Sequence, residues 1–216
     1  MKTALIAGST GLVGSELLKL LTENPDYQYI YTLVRKPGGD ASSKIREAVI
    51  DFDAMESFSP GGPVDHVFCT LGTTIKKAGT QENFRKVDHD YVLGLAKMAK
   101  QWGTEKFLVV TALGANPRSS IFYNRVKGET EEALKALDLD HLFIFRPSLL
   151  MGERKEHRAA EKTAIAVYKV INPLFAGKLK KYKGIEARQV ASAMVRTALE
   201  NNEPLKIFES NEIQDL

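Results

Sequence analysis

Three glycines, Gly8, Gly11 and Gly14, stand directly after the apolar run Ala4-Leu5-Ile6-Ala7 and directly before Leu17-Leu18-Lys19-Leu20-Leu21. An apolar run, a glycine turn and an amphipathic restart read as strand, tight turn and helix, the opening of a βαβ unit. At such a turn the unpaired N–H groups of the first helical residues and the positive end of the helix dipole converge on one spot, where a pyrophosphate can sit. The glycines therefore predict a dinucleotide site.

The rest of the chain alternates in the same way. Segments 29–34, 48–50, 66–72, 106–111 and 141–146 are β-branched, aromatic or continuously apolar, whereas 82–102 and 121–137 carry apolar residues at helical spacing. That alternation predicts an α/β fold, a doubly wound parallel sheet of Rossmann type covered on both faces, with a short helical substrate-side region at the C-terminal end. With 216 residues, 44% of them hydrophobic, the expectation is one domain over 1–216, in which 148–185 forms the substrate-side subregion. Segment 187–199 adds an amphipathic helix, and 206–209 an edge strand.

The strand ends name the nucleotide. The second strand stops at Arg35-Lys36, where a chain selecting NAD places an acid for the ribose 2′-hydroxyl; cations there favour the 2′-phosphate, so NADP(H) is expected over NAD(H). The third strand ends in Asp51-Phe52-Asp53. In this fold such an acid accepts from the adenine amino group while the next backbone N–H donates to the ring; Asp51 with Phe52 is the first choice, Asp53 the alternative. After the fourth strand, Gly72-Thr73-Thr74 lies at the carboxyl edge where cofactors bind, and simple loop capping explains the two threonines equally well.

Tyr123 and Lys127 are four residues apart on the helix after the fifth strand and so share a face. A tyrosine is a poor acid at neutral pH, and a neighbouring ammonium favours its phenolate; the lysine also suits the ribose hydroxyls of a cofactor. Thr111, at the end of that strand, supplies a hydroxyl to polarise a substrate carbonyl.

The segments 7–14, 71–74, 87–88, 111–115, 123–129 and 145–148, with GxxGxxG spacing and Thr10 before the second glycine, resemble the atypical, extended-type short-chain dehydrogenase/reductases. Within them they are closest to the Tat-interacting oxidoreductase-like branch and its bacterial members. The resemblance implies that Thr111, Tyr123 and Lys127 stand in the Ser/Thr-Tyr-Lys positions. It also implies cofactor contacts from Ser9, Thr10, Leu12 and Val13 in the glycine turn, from Leu71, and from Pro147. Two departures stand out: Ala112 follows Thr111, leaving Ser119 or Ser120 as substitutes or as helix caps, and Asp88 replaces an asparagine common in relatives acting on sugar nucleotides.

Only about 70 residues follow Pro147, too few for a large substrate domain. A small carbonyl compound is the expected substrate, with Arg154 or Arg158 placed to clamp an anionic group, unless they belong to a solvated charged helix start. An NADP(H)-dependent reductase is the first reading. A non-catalytic NADPH-binding regulator or scaffold and nucleotide-sugar epimerase or dehydratase chemistry are the alternatives.

A net charge of +3 gives no sign of nucleic-acid binding, and the single cysteine, Cys69, can form neither an internal disulfide nor a metal cluster. The N-terminal apolar residues are needed as the first strand, and no run approaches the ~18 residues of a membrane span, so a cytoplasmic protein is expected. Segment 164–183, apolar and then lysine-rich, suits peripheral contact with an anionic membrane or, more simply, a helix packed on its own domain; homo-oligomerisation stays open.

Overall fold

The computed structural model describes residues 1–39, 42–152 and 183–216. The apolar segments become strands β1 (Lys2–Ala7), β2 (Tyr27–Val34), β3 (Ile45–Val49), β4 (His66–Cys69), β5 (Lys106–Val110) and β6 (His141–Arg146). Two short strands, β7 (Leu150–Met151) and β8 (Ile185–Glu186), pair with each other, and β9 (Leu205–Glu209) comes near the C-terminus. Among the described residues seven strands form one sheet, ordered β3-β2-β1-β4-β5-β6-β9, with every pairing parallel. This is the Rossmann-like sheet expected from the alternation.

Parallel strands need crossovers, and the crossovers bury both faces, which is why the central strands run apolar at Ala4–Ala7, Val67–Cys69 and Phe107–Val110, whereas the edge strand β3 carries Arg46 and Glu47. Along β1 successive side chains alternate. Ala4 and Ile6 pack with Leu17, Leu21, Val190 and Met194 from α1 (Leu12–Glu23) and α6 (Ala187–Glu200), whereas Leu5 and Ala7 face the opposite layer. There Leu95 and Ala99 of α4 (Tyr91–Gln101) and Leu134 of α5 (Phe122–Lys135) cover the sheet. Short helices α2 (Ile75–Ala78) and α3 (Gln81–Arg85) come after β4, and α7 (Ser210–Asp215) after β9.

The helix expected over 82–102 is not continuous. A wide, π-type turn, Lys86–Asp90, separates α3 from α4. Such turns accommodate one extra residue, and this one carries Asp88, 1% exposed, at its centre. The Thr130 hydroxyl on α5 shares its proton between the Asp88 carbonyl, at 3.0 Å, and the Val126 carbonyl of its own helix, at 2.8 Å, linking the turn to α5.

At the glycine turn, Gly8 takes the chain out of β1 at φ +94°, and α1 starts so close to β1 and β4 that side chains are excluded. A Cβ on Gly14 would lie 2.1 Å from the Gly8 carbonyl oxygen and 2.6 Å from Thr70 Oγ1. Gly14→Ala is therefore expected to lower the unfolding free energy by about 1–3 kcal/mol in urea denaturation, the usual cost of overpacking a closed contact; unchanged stability would show that α1 can shift freely.

Candidate active site

The glycine turn ends at Gly11, the residue capping α1, whose extended backbone (φ −77°, ψ 174°) brings no side chain onto the first helical turn. The first-turn N–H groups therefore keep the helix's electropositive end open to an anion, and the Cβ-free surface of Gly8 and Gly14 lets backbone approach it. These features fit a pyrophosphate. Ser9 is buried in the turn, Thr10 is exposed, and Leu12 and Val13 begin the helix.

Arg35 and Lys36 come after β2 in the exposed loop, and neither has an ion-pair partner among the described residues. Of the two acids after β3, Asp51 accepts the Asp53 N–H at 2.9 Å, capping the short 3-10 turn Phe52–Ser57. Asp53 is occupied: Lys86 Nζ lies 2.7 Å away and the Tyr91 hydroxyl donates at 2.6 Å. The Lys86 hydrogen bond, reinforced by that of Tyr91, holds the Asp53 carboxyl below its ordinary range. Phe52 is buried with its ring 5.5 Å from that of Tyr91.

Beyond β4 the chain passes over a buried ion pair. Lys127 Nζ of α5 sits 2.8 Å from Asp88 Oδ1, with the two side chains 5% and 1% exposed. The second Asp88 oxygen accepts the Thr73 N–H at 2.8 Å. Gly72 covers the pair: a Cβ there would lie 3.5 Å from Asp88 Oδ1 and 3.9 Å from Lys127 Nζ, while Leu71 packs against the core. Thr74 caps α2 by accepting the Lys77 N–H. Burial alone would drive the Lys127 ammonium toward neutrality, but the Asp88 carboxylate, with a smaller contribution from Tyr123, outweighs it and raises the pKa. Tyr123 lies one turn earlier on α5, 36% exposed, with its ring 5.6 Å from the buried ring of Phe84.

The Thr111 hydroxyl has partners inside the protein. Its hydroxyl donates to Glu131 Oε1 at 2.7 Å and lies 3.4 Å from the Phe145 carbonyl, in a residue only 5% exposed. Glu131 is two turns beyond Tyr123 on the same face of α5, about 12 Å along the axis at 1.5 Å per residue. The hydroxyl expected to polarise a carbonyl thus ties β5 to the inner end of α5. Glu131 in turn accepts from Arg146 Nε at 3.0 Å, and Arg146 Nη1 reaches Glu209 Oε1 at 2.9 Å, so one guanidinium joins α5, β6 and β9. The hydrogen bond to Glu131 is the main reason the Arg146 guanidinium is held still more firmly protonated than usual.

Pro147, at the end of β6, accepts the Leu113 N–H at 2.9 Å. Ser119 accepts the Ile121 N–H at 3.1 Å, a local turn contact just before α5. Arg154 and Arg158 lie outside the described residues, as does 164–183 apart from Lys183. Sequence reasoning noted Asp88 only as a departure and missed Phe84, Glu131 and Arg146. The signal was present in the spacing: Glu131 continues the Tyr123–Lys127 face by four residues, and charges on a face turned to the core require partners.

A model of the HIM1 family matches residues 40–181 of this chain. The mitochondrial protein FMP52 of Eremothecium gossypii is 34% identical over 217 residues, covering 99% of this chain and 96% of its own. HTATIP2 of Rattus norvegicus is 35% identical over 164 residues, covering 74% of this chain and 67% of its own. Among solved structures, MoeE5 in complex with UDP-glucose and NAD has a TM-score of 0.71 at 14% identity, covering 98% of this chain and 79% of MoeE5, a likeness of fold. FMP52 relatives from four fungi are named mitochondrial, which overturns the expected cytoplasmic location; a lone cysteine argues against a disulfide, not against an organelle.

The polar network gives a testable consequence. Thr111→Val should cost about 1–3 kcal/mol in urea denaturation by leaving Glu131 short of a donor. Glu131→Ala should cost more, about 3–5 kcal/mol, because the Arg146 charge loses its buried partner. Equal and negligible losses would contradict the network.

Proposed function

The chain belongs to the HIM1 family, and from that premise we propose that it is an NADP(H)-dependent oxidoreductase reducing a small carbonyl compound at Tyr123 and Lys127. The observation that carries this reading is the placement of a half-exposed phenol one helical turn above a buried, charge-paired lysine, at the sheet edge that also bears the glycine turn. The finer placement among bacterial members of the Tat-interacting branch, and the single domain with 148–185 on the substrate side, belong to the same proposal.

In this reading the Gly8–Gly14 turn and the open first turn of α1 hold the pyrophosphate, and Arg35 with Lys36 holds the 2′-phosphate. Asp51 keeps one carboxylate oxygen for the adenine amino group, and Lys127 donates to the ribose hydroxyls. A reduced nicotinamide bound there supplies the hydride. Tyr123 donates the phenolic proton to the carbonyl oxygen as charge develops on it, and the Phe84 ring fixes the phenol's orientation. Lys127, an ammonium paired with Asp88, acts on Tyr123 and the ribose as a donor fixed in place by that pair.

The regulator reading has one observation in its favour. The Thr111 hydroxyl is committed to Glu131 and the next residue is Ala112, so the group expected to polarise the carbonyl is turned into the protein. Turnover distinguishes the readings.

Tyr123→Phe should lower carbonyl-dependent NADPH oxidation by about 10²-fold or more, the contribution of a general acid, with NADPH affinity held within about threefold. Parallel loss of affinity and rate would remove the assigned role. Arg35→Asp should weaken NADPH binding by about tenfold or more while sparing NADH, read from nicotinamide fluorescence; an unchanged preference would contradict the 2′-phosphate contact.

A further inference from the structure

We propose that Asp88 is the built-in counter-ion of Lys127, a positioning residue whose negative charge keeps the lysine protonated and thereby sets the alkaline limit of nucleotide binding. The proposal rests on the reading of Lys127 as the residue that holds the cofactor ribose.

The geometry is specific. Lysines are almost never fully buried without an anion, because stripping water from an ammonium costs several kcal/mol even after relaxation. Lys127 is 4% exposed, and its Nζ is 2.8 Å from Asp88 Oδ1. The carboxylate is aimed from three sides. The wide turn Lys86–Asp90 turns residue 88 inward, Thr130 anchors its carbonyl, and the Thr73 N–H holds its second oxygen. Gly72 passes directly over the pair, so the pair lies just beneath the loop that borders the cofactor edge.

The other ionisable groups acting on Lys127 are Tyr123, on its own helix, and Cys69, on β4. Burial pushes the Cys69 thiol up to about 12, so it is neutral throughout the working range and cannot replace the carboxylate. Asp88→Asn would keep the shape and the acceptor for Thr73 while removing the charge. Desolvation of Lys127 would then stand nearly unopposed, and the lysine would lose its proton at lower pH. A neutral amine donates more weakly to the ribose hydroxyls, so nucleotide binding would weaken as pH rises.

The test is NADPH affinity between pH 6 and pH 9, measured by nicotinamide fluorescence on the full chain, with each variant's fold checked by circular dichroism. For Asp88→Asn the ratio of variant to wild-type Kd is expected to rise by about tenfold or more across that range, because the variant's lysine loses its proton there while the wild-type lysine keeps it. In the double variant Asp88→Asn with Lys127→Arg the rise should vanish, because a guanidinium keeps its proton. Thr130→Val, which disturbs the same turn without removing a charge, should lower the melting temperature and leave the ratio flat. Asp88→Ser replaces Asp88→Asn if the latter does not fold.

A flat ratio for the uncharged variants, or a rise that persists with Lys127→Arg, would overturn the counter-ion role while leaving the cofactor reading in place. Failure of the wild-type chain to bind NADPH or NADH at any pH would overturn the cofactor reading, and this proposal with it.

Discussion

An ammonium stays charged inside a protein only with an anion beside it, and the cofactor-side half of this structure is arranged around that requirement for Lys127. Lys127 lies on the face of α5 that carries Tyr123, one turn from it. Its burial then obliges Asp88 to enter the interior from another segment. A regular helix through 81–101 would not carry the same backbone arrangement, and the wide turn at Lys86–Asp90 is the local irregularity that accompanies the buried acid. Thr130 and Thr73 satisfy the remaining polar groups around it. The loop after β4, the segment before α4 and the first half of α5 are thus joined through one carboxylate.

A second buried acid repeats the arrangement one turn further along α5. Glu131, 1% exposed, collects Thr111 from the end of β5 and Arg146 from β6, and Arg146 extends to Glu209 at the end of β9. Buried ion pairs contribute little net stability, since desolvation offsets their attraction, but losing one partner is costly. Their effect here is to fix register. α5 is held at two levels, by Lys127 to the Asp88 turn and by Glu131 to β5 and β6, so the height of Tyr123 above the sheet edge is set by buried charges. Near the same edge the Ser210 hydroxyl donates to Ser148 Oγ at 2.9 Å, tying α7 to the loop after β6.

The scaffold is readable in the sequence because its signals are local. Gly8, Gly11 and Gly14 identify a strand, turn and helix by their spacing, and the continuous apolar runs identify strands covered on both faces. The Tyr123–Lys127 pair was equally visible, since four residues make about one helical turn. Pairings across the chain were not. Asp88 and Lys127 are 39 residues apart, and Arg146 and Glu209 are 63 apart, so the partnerships depend on the packed fold. Thr111 is a further case: its place at the end of β5 is visible in the sequence, whereas its hydroxyl's partner Glu131, arriving from α5, is not. A hydroxyl points to the strongest acceptor in reach, and that acceptor was hidden in the tertiary structure.

In the proposed function the glycine turn and the Lys127 face of α5 grip the two ends of one dinucleotide. A crystal structure of the chain with NADPH tests it most directly. The expected complex has the pyrophosphate over the Gly8–Gly14 turn at the start of α1, the 2′-phosphate beside Arg35, and Lys127 Nζ within hydrogen-bonding distance of the nicotinamide ribose. A nucleotide bound away from that edge, or one leaving Lys127 without contact, would contradict it.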